Sequence, residues 1–155
     1  MKTKICSAIL FFLFRALKYL SRHDSIVRSD WEKFDENFVI SIYLSEGGKS
    51  LRIIKKNGKM KRIRISGIKE DLAITFKSVD AAFLVFTGFS GLSRAYSEHR
   101  FTLSGNISDG MAFVRMVERA ETYLFPSIMG RRILRRREKK EMMSVALYLH
   151  LLLGV

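Results

Sequence analysis

Few residues in this chain are equipped for covalent or metal chemistry. Its three histidines, His23, His99 and His150, are scattered, and Cys6 is its one cysteine. One thiol cannot close an internal disulfide, which excludes a stapled secreted scaffold, and thiolate-rich zinc sites need several. Glu98-His99 is a neighbouring acid and imidazole. Adjacent side chains on a helix do not face each other, so that adjacency makes no dyad. His99 is expected at a helix end, and Glu118 and Glu121 as solvated helix charges. Ser7, Cys6 and His23 share no evident geometry. Without a glycine-rich phosphate loop, metal-ligand spacing or nucleophile elbow, the expectation is no enzyme and no cofactor.

What the chain has instead is grease and positive charge. Of 155 residues, 48% are hydrophobic, with 12 Phe and 7 Met, and 28 basic against 15 acidic residues give +13. That length suits one domain able to bury roughly 70% of its unfolded surface. The charge is segregated. Residues 49–64 hold eight cations (Lys49, Arg52, Lys55, Lys56, Lys59, Lys61, Arg62, Arg64) and no acid. Residues 131–140 hold seven more (Arg131, Arg132, Arg135, Arg136, Arg137, Lys139, Lys140) against Glu138. Such an excess points to a polyanionic partner, a membrane surface or nucleic acid. The second block, followed by an apolar tail over 142–153, suits a helix lying on an anionic membrane. The tail is too short to span a bilayer, which takes ~20 residues. It would lie on the membrane or close a pocket.

The elements that must position these residues follow from periodicity. Ile5, Ile9, Phe12, Leu13, Ala16, Leu17 and Leu20 recur at helical spacing, with Lys4, Arg15, Lys18 and Arg22 elsewhere on the wheel. The apolar run imitates a signal peptide, but no small-x-small site follows it, so a helix of the mature protein is expected. Period two appears in residues 38–44, 51–55, 62–65, 72–76 and 101–104, with turns at Gly47-Gly48 and Asn57-Gly58. The expected oily face carries Phe38, Ile40, Ile42, Ile63, Ile65, Leu72, Ile74, Phe76, Phe101 and Leu103. Helices are expected after a Ser78 cap and ending at Gly88, over 92–99, and after an Asn106 or Ser108 cap up to Pro126, with a last one from about Ser127. Five mainly antiparallel strands with helices on one face make an α+β arrangement. Expected segments are 1–36 (N-terminal helical), 37–130 (α+β) and 131–155 (basic, then apolar, helix).

The stretch Asp71-Leu-Ala-Ile-Thr-Phe-Lys77, then Ala81-Ala82, Phe86-Thr-Gly88, Ala95-Tyr-Ser-Glu98, Arg100, Gly105-Asn106, Met111 and Pro126 resembles the sterol carrier protein type-2 domain. The resemblance spans roughly residues 38–126. It implies a five-stranded sheet, an apolar tunnel between sheet and helices, and binding of a sterol, fatty acid or similar lipid with no chemistry performed. The basic block and the apolar tail depart from the common motif, so ligand identity does not carry over. The residues expected to line the tunnel are Phe76, Phe83, Phe86, Phe89, Tyr96, Phe101, Leu103, Met111, Phe113, Val114, Met116 and Val117. Stripes of this kind equally suit plain packing, and the resemblance is what favours a cavity. The expected location is cytoplasmic, peripheral at a membrane.

Two rival readings remain. The wet face of the sheet would present Arg52, Lys56, Arg62, Arg64, Lys77 and Arg100 as a phosphate track for nucleic acid. Only Tyr43 stands among them as a stacking aromatic, which disfavours that partner. An accessory factor presenting a lipid-like substrate to a membrane enzyme would share the sequence of a plain carrier.

Overall fold

The alternating segments form five strands, β1 (Val39–Tyr43), β2 (Ser50–Lys56), β3 (Lys59–Ile63), β4 (Leu72–Phe76) and β5 (Phe101–Ser104), in a sheet ordered β3-β2-β1-β4-β5. A computed structural model describes residues 1–65, 67–86 and 91–124. Gly88, Phe89, Pro126, the basic block at 131–140 and the tail at 142–153 lie outside the described residues. The β1–β2, β2–β3 and β4–β5 pairs are antiparallel, and β1–β4 is parallel. The expected α+β class with a five-stranded, mainly antiparallel sheet is therefore observed.

Cross-strand partners Ile40–Ile53, Ile40–Leu72, Ile42–Leu51, Ile42–Ile74 and Phe76–Phe101 put the large apolar side chains on one inner face. Two expected members of that face are not there. The two-residue Asn57-Gly58 turn pairs Lys56 with Lys59 and Lys55 with Met60, so Ile63 falls opposite Arg52, on the outer face. Counting from the turn overrides the alternation of the strand's own last residues. Ile65 lies past the end of β3 and is 71% exposed. Met60, buried beside Lys55, takes the inner position instead.

The outer face is not simply wet. Residues 64–65 and 67–71 lie on it between β3 and β4. Arg52 donates to Ser41 Oγ (3.2 Å) and to the carbonyls of Ile65 (3.1 Å) and Ile68. The Tyr43 hydroxyl donates to Glu70 at 2.7 Å, which pushes the phenol's pKa up. Val39, Ser41 and Ala73 are buried beneath this stretch. Asp71 closes it: its carboxylate accepts from Val39 N (2.8 Å), and its own N–H donates to Val39 O (2.9 Å).

Helices α1 (Lys2–His23) and α2 (Ser25–Glu32) precede the sheet; α3 (Val79–Phe86) and α4 (Leu92–Ser97) join β4 to β5, and α5 (Ile107–Leu124) follows. α1 lies over β2 and β3 and packs against α2, α3 and α5; α3 adjoins β4, α4 adjoins β5, and α5 packs on α1, α2 and α4. The buried face of α1 is rotated from the expected one. Cys6, Leu10 and Phe14 are inside, whereas Ile5 (39%) and Phe12 (41%) are exposed beside Phe11 (41%). Surrounded on several sides, α1 buries more of its circumference than a single stripe would.

Local chemistry fixes the helix ends. The Ser78 hydroxyl accepts from Ala81 N (3.1 Å), and the Asn106 side chain accepts from Ser108 N (2.8 Å), which settles the choice of cap for α5. Asp24, between α1 and α2, accepts from Ile26 N and Val27 N, both at 3.1 Å. At the other end of α2, the buried Lys55 ammonium donates to the carbonyls of Trp31 (3.2 Å), Glu32 (3.3 Å) and Phe34 (2.6 Å), at and just beyond the helix C-terminus, where a cation is favourable. Trp31 Nε1 donates to Gly58 O (3.0 Å), tying this corner to the β2–β3 turn.

Candidate ligand-binding site

Four aromatic side chains from four elements meet at the β4–β5 side of the inner face. Phe76 of β4 lies 5.4 Å from Phe86 of α3 and 5.4 Å from Phe101 of β5, and Phe101 lies 5.5 Å from Tyr96 of α4, all ring centroid distances. The Phe76–Phe86 contact is edge-on, which suits the ring quadrupoles, and the other two are tilted. Burial grades along the chain of rings: Phe76 is fully buried, Phe86 and Phe101 nearly so, and Tyr96 is 38% exposed. Phe83, Leu103 and Met111 are half-buried against the same core.

The α5 members of the expected set are all buried but do not all share an arc of the helix. Val114 and Val117 fall in line with Gly110, whose missing Cβ leaves room for Leu103 of β5. Met116 falls in line with Ala112, Arg119 and Tyr123, an arc whose polar ends reach Asp24. Phe113 lies between these arcs. The sequence spacing correctly brings Phe76, Phe86, Phe101 and Tyr96 together, while Met116 stands on the side of α5 turned toward the α1–α2 junction.

That junction holds features that periodicity passed over. Asp24 and Arg119 are both buried, with Arg119 Nε and one terminal nitrogen 3.1 and 3.0 Å from Asp24 Oδ2; Tyr123 donates to the same oxygen at 2.9 Å. One helical turn before Arg119, Arg115 grips Asp30 through two nitrogens (3.1 and 2.9 Å), and Lys33 reaches it at 2.7 Å. Burial pushes the Asp30 carboxyl up, but the hydrogen bonds from Arg115 and Lys33 outweigh it and leave its pKa below the ordinary range. In the sequence these are only two acids six apart and two arginines four apart, and nothing local pairs them or marks them as buried.

Glu121 overturns an expectation. It is not a solvated helix charge but a buried one, 3% exposed, with neither carboxylate oxygen hydrogen-bonded. Burial, aided by the nearby Glu118 charge, raises its pKa well above the ordinary value. Glu118 itself is half-buried and accepts from Ser93 N at 2.9 Å.

Among the described residues, the histidines and the cysteine form no cluster. His23 stacks on Tyr19 at the surface (4.1 Å), and His99 is exposed in a left-handed turn (φ 54°) after α4. Cys6 is buried, which pushes its thiol pKa up. Among the described residues no group of three or more His, Cys, Asp or Glu could hold a metal. The expected phosphate track is broken: Arg52 is spent on the Ile65 carbonyl, Arg62 lies opposite Ile53 on the inner side of edge strand β3, and Arg100 pairs with Glu98 at 2.6 Å.

No family model matches the chain, and no curated protein matches it. Among solved structures it is similar to the UbiJ-SCP2 ubiquinone synthesis protein, at 12% identity and TM-score 0.47, over 77% of this chain and 94% of that one. It is similar to sterol carrier protein 2 of Yarrowia lipolytica, at 17% identity and TM-score 0.45, over 70% and 87%. It is also similar to sterol carrier protein-2 like-3 of Aedes aegypti, at 17% identity and TM-score 0.40, over 75% and 96%.

Proposed function

We propose that this protein binds an apolar, lipid-like ligand between the inner face of the sheet and its covering helices, and performs no chemistry on it. The observation that carries this reading is the line of rings from buried Phe76 through Phe101 to exposed Tyr96, flanked by half-buried Phe83, Leu103 and Met111. Continuous apolar surface from interior to exterior is what a greasy guest needs for entry. Burying a 16-carbon chain contributes gross transfer free energy of order 10 kcal/mol, at ~0.8 per methylene, and immobilisation offsets much of it. The purified protein is expected to bind a fluorescent fatty-acid or sterol analogue saturably, with displacement by the unlabelled lipid. Absence of binding across several lipid classes would sink the reading.

The same reading includes contact with an anionic membrane, where cargo would be exchanged. Its support among the described residues is α1, which has no acidic residue and exposes Ile5, Phe11 and Phe12 on a surface also bearing Lys4, Lys18 and Arg22. No helix among the described residues is long and apolar enough to cross a membrane. Co-sedimentation with vesicles should rise with anionic lipid content and fall with salt; equal recovery on neutral vesicles would refute the electrostatic part.

A further inference from the structure

Gly110, Val114, Val117 and Glu121 recur at intervals of three or four along α5 and form one buried stripe. At its start Gly110 lies against Leu103 of β5. Beside it Glu118 receives the Ser93 N–H from the start of α4. The stripe therefore faces β5 and α4, the elements that supply Phe101 and Tyr96. Glu121 ends it. No other described side chain is buried with polar atoms lacking a hydrogen-bond partner, and here both carboxyl oxygens lack one.

We propose that the Glu121 carboxyl is the hydrogen-bonding anchor for an apolar ligand whose single polar group is an uncharged carbonyl, as in a long-chain ketone or ester. This rests on the apolar-ligand reading above and adds to it the chemistry of the head. A buried, unpaired carboxyl is held most cheaply as the neutral acid, and both burial and the Glu118 charge favour that form. The neutral acid offers one O–H donor, and a carbonyl oxygen is its natural acceptor. A fatty-acid anion is the weaker guest at this anchor, because Glu118 disfavours a second negative charge there and burial penalises any ion. A head of matching polarity would satisfy a group that the folded protein leaves unsatisfied.

The test uses diphenylhexatriene, a hydrocarbon probe without a polar head, in the full chain and in Glu121→Leu and Glu121→Gln. All three proteins should take up the probe saturably. From the unsubstituted protein, 2-tridecanone should displace it at least tenfold more effectively than n-tridecane or dodecanoate. Glu121→Leu should lose that preference, and Glu121→Gln, whose amide still donates, should keep most of it. Probe uptake without a ketone preference, or a preference that survives in Glu121→Leu, overturns the anchor while leaving the apolar-ligand reading standing. No probe uptake in any of the proteins overturns both.

Discussion

Replacing Arg119 with methionine is expected to lower the free energy of unfolding by about 3–5 kcal/mol, the usual result of removing one partner from a buried ion pair. Methionine fills most of the stem's volume, so the loss reports the charge rather than a cavity. What it strands is Asp24, a fully buried carboxylate left with the Tyr123 hydroxyl and two α2 amides. A domain of this size has roughly 5–15 kcal/mol in all, so the loss is a large fraction of the total. Asp24→Asn preserves the helix cap but takes the carboxylate away from Arg119 and Tyr123, and should also destabilise the fold. The double variant, with no charge left unpaired, should be more stable than the sum of the two losses predicts. Urea unfolding followed by circular dichroism measures all three. A loss under about 1 kcal/mol for Arg119→Met would mean that the pair is solvated.

Replacing Glu121 with leucine is expected to act in the opposite direction, raising stability by about 1–3 kcal/mol near neutral pH, because it removes a buried polar group that has no partner. The gain should depend on pH in a defined way. In the unfolded chain the carboxyl ionises near its ordinary value of about 4.3, whereas in the folded protein its pKa is raised. Between those two values folding takes up a proton, so the unsubstituted protein loses stability as pH rises, by up to ~1.4 kcal/mol per unit. Leucine does not titrate. The difference in unfolding free energy between the two proteins should thus be smallest near pH 4–5 and widen above it, and a difference that stays flat would contradict the buried acid.

The two effects fall on the same helix, and the sequence could announce neither. Period-two alternation located four of the strands and only the end of β3, and local chemistry located the Asn57-Gly58 turn and the Ser78 cap and narrowed the α5 cap to Asn106 or Ser108, because those signals are complete within a few residues. Ile63 was misplaced because register is set by the turn and not by the strand's own alternation. Arg119 and Glu121 were illegible as buried groups because a charge on a helix is ordinarily solvated, and only the tertiary partners, or their absence, decide otherwise.

The residues that carried the family resemblance are largely architectural. Asp71 clamps β1 to the start of β4. Gly105, with φ at 119°, passes so close to the carbonyl of Asp71 that a Cβ would collide with it. Asn106 caps α5, and Glu98 joins Arg94 (2.7 Å) to Arg100 (2.6 Å) around the turn at His99. These positions specify how the layers connect. The apolar site was legible only as a set of side chains facing one another, Phe76, Phe86, Phe101 and Tyr96, and such a set is equally what a well-packed core requires.

Native mass spectrometry of the full chain after gentle, detergent-free purification separates those alternatives most directly. A guest retained between the layers should appear as a discrete added mass of a few hundred daltons. It should be lost on collisional heating and extractable into organic solvent as a lipid. A spectrum of bare protein alone, unchanged after incubation with fatty acids, sterols and long-chain ketones, would contradict the account.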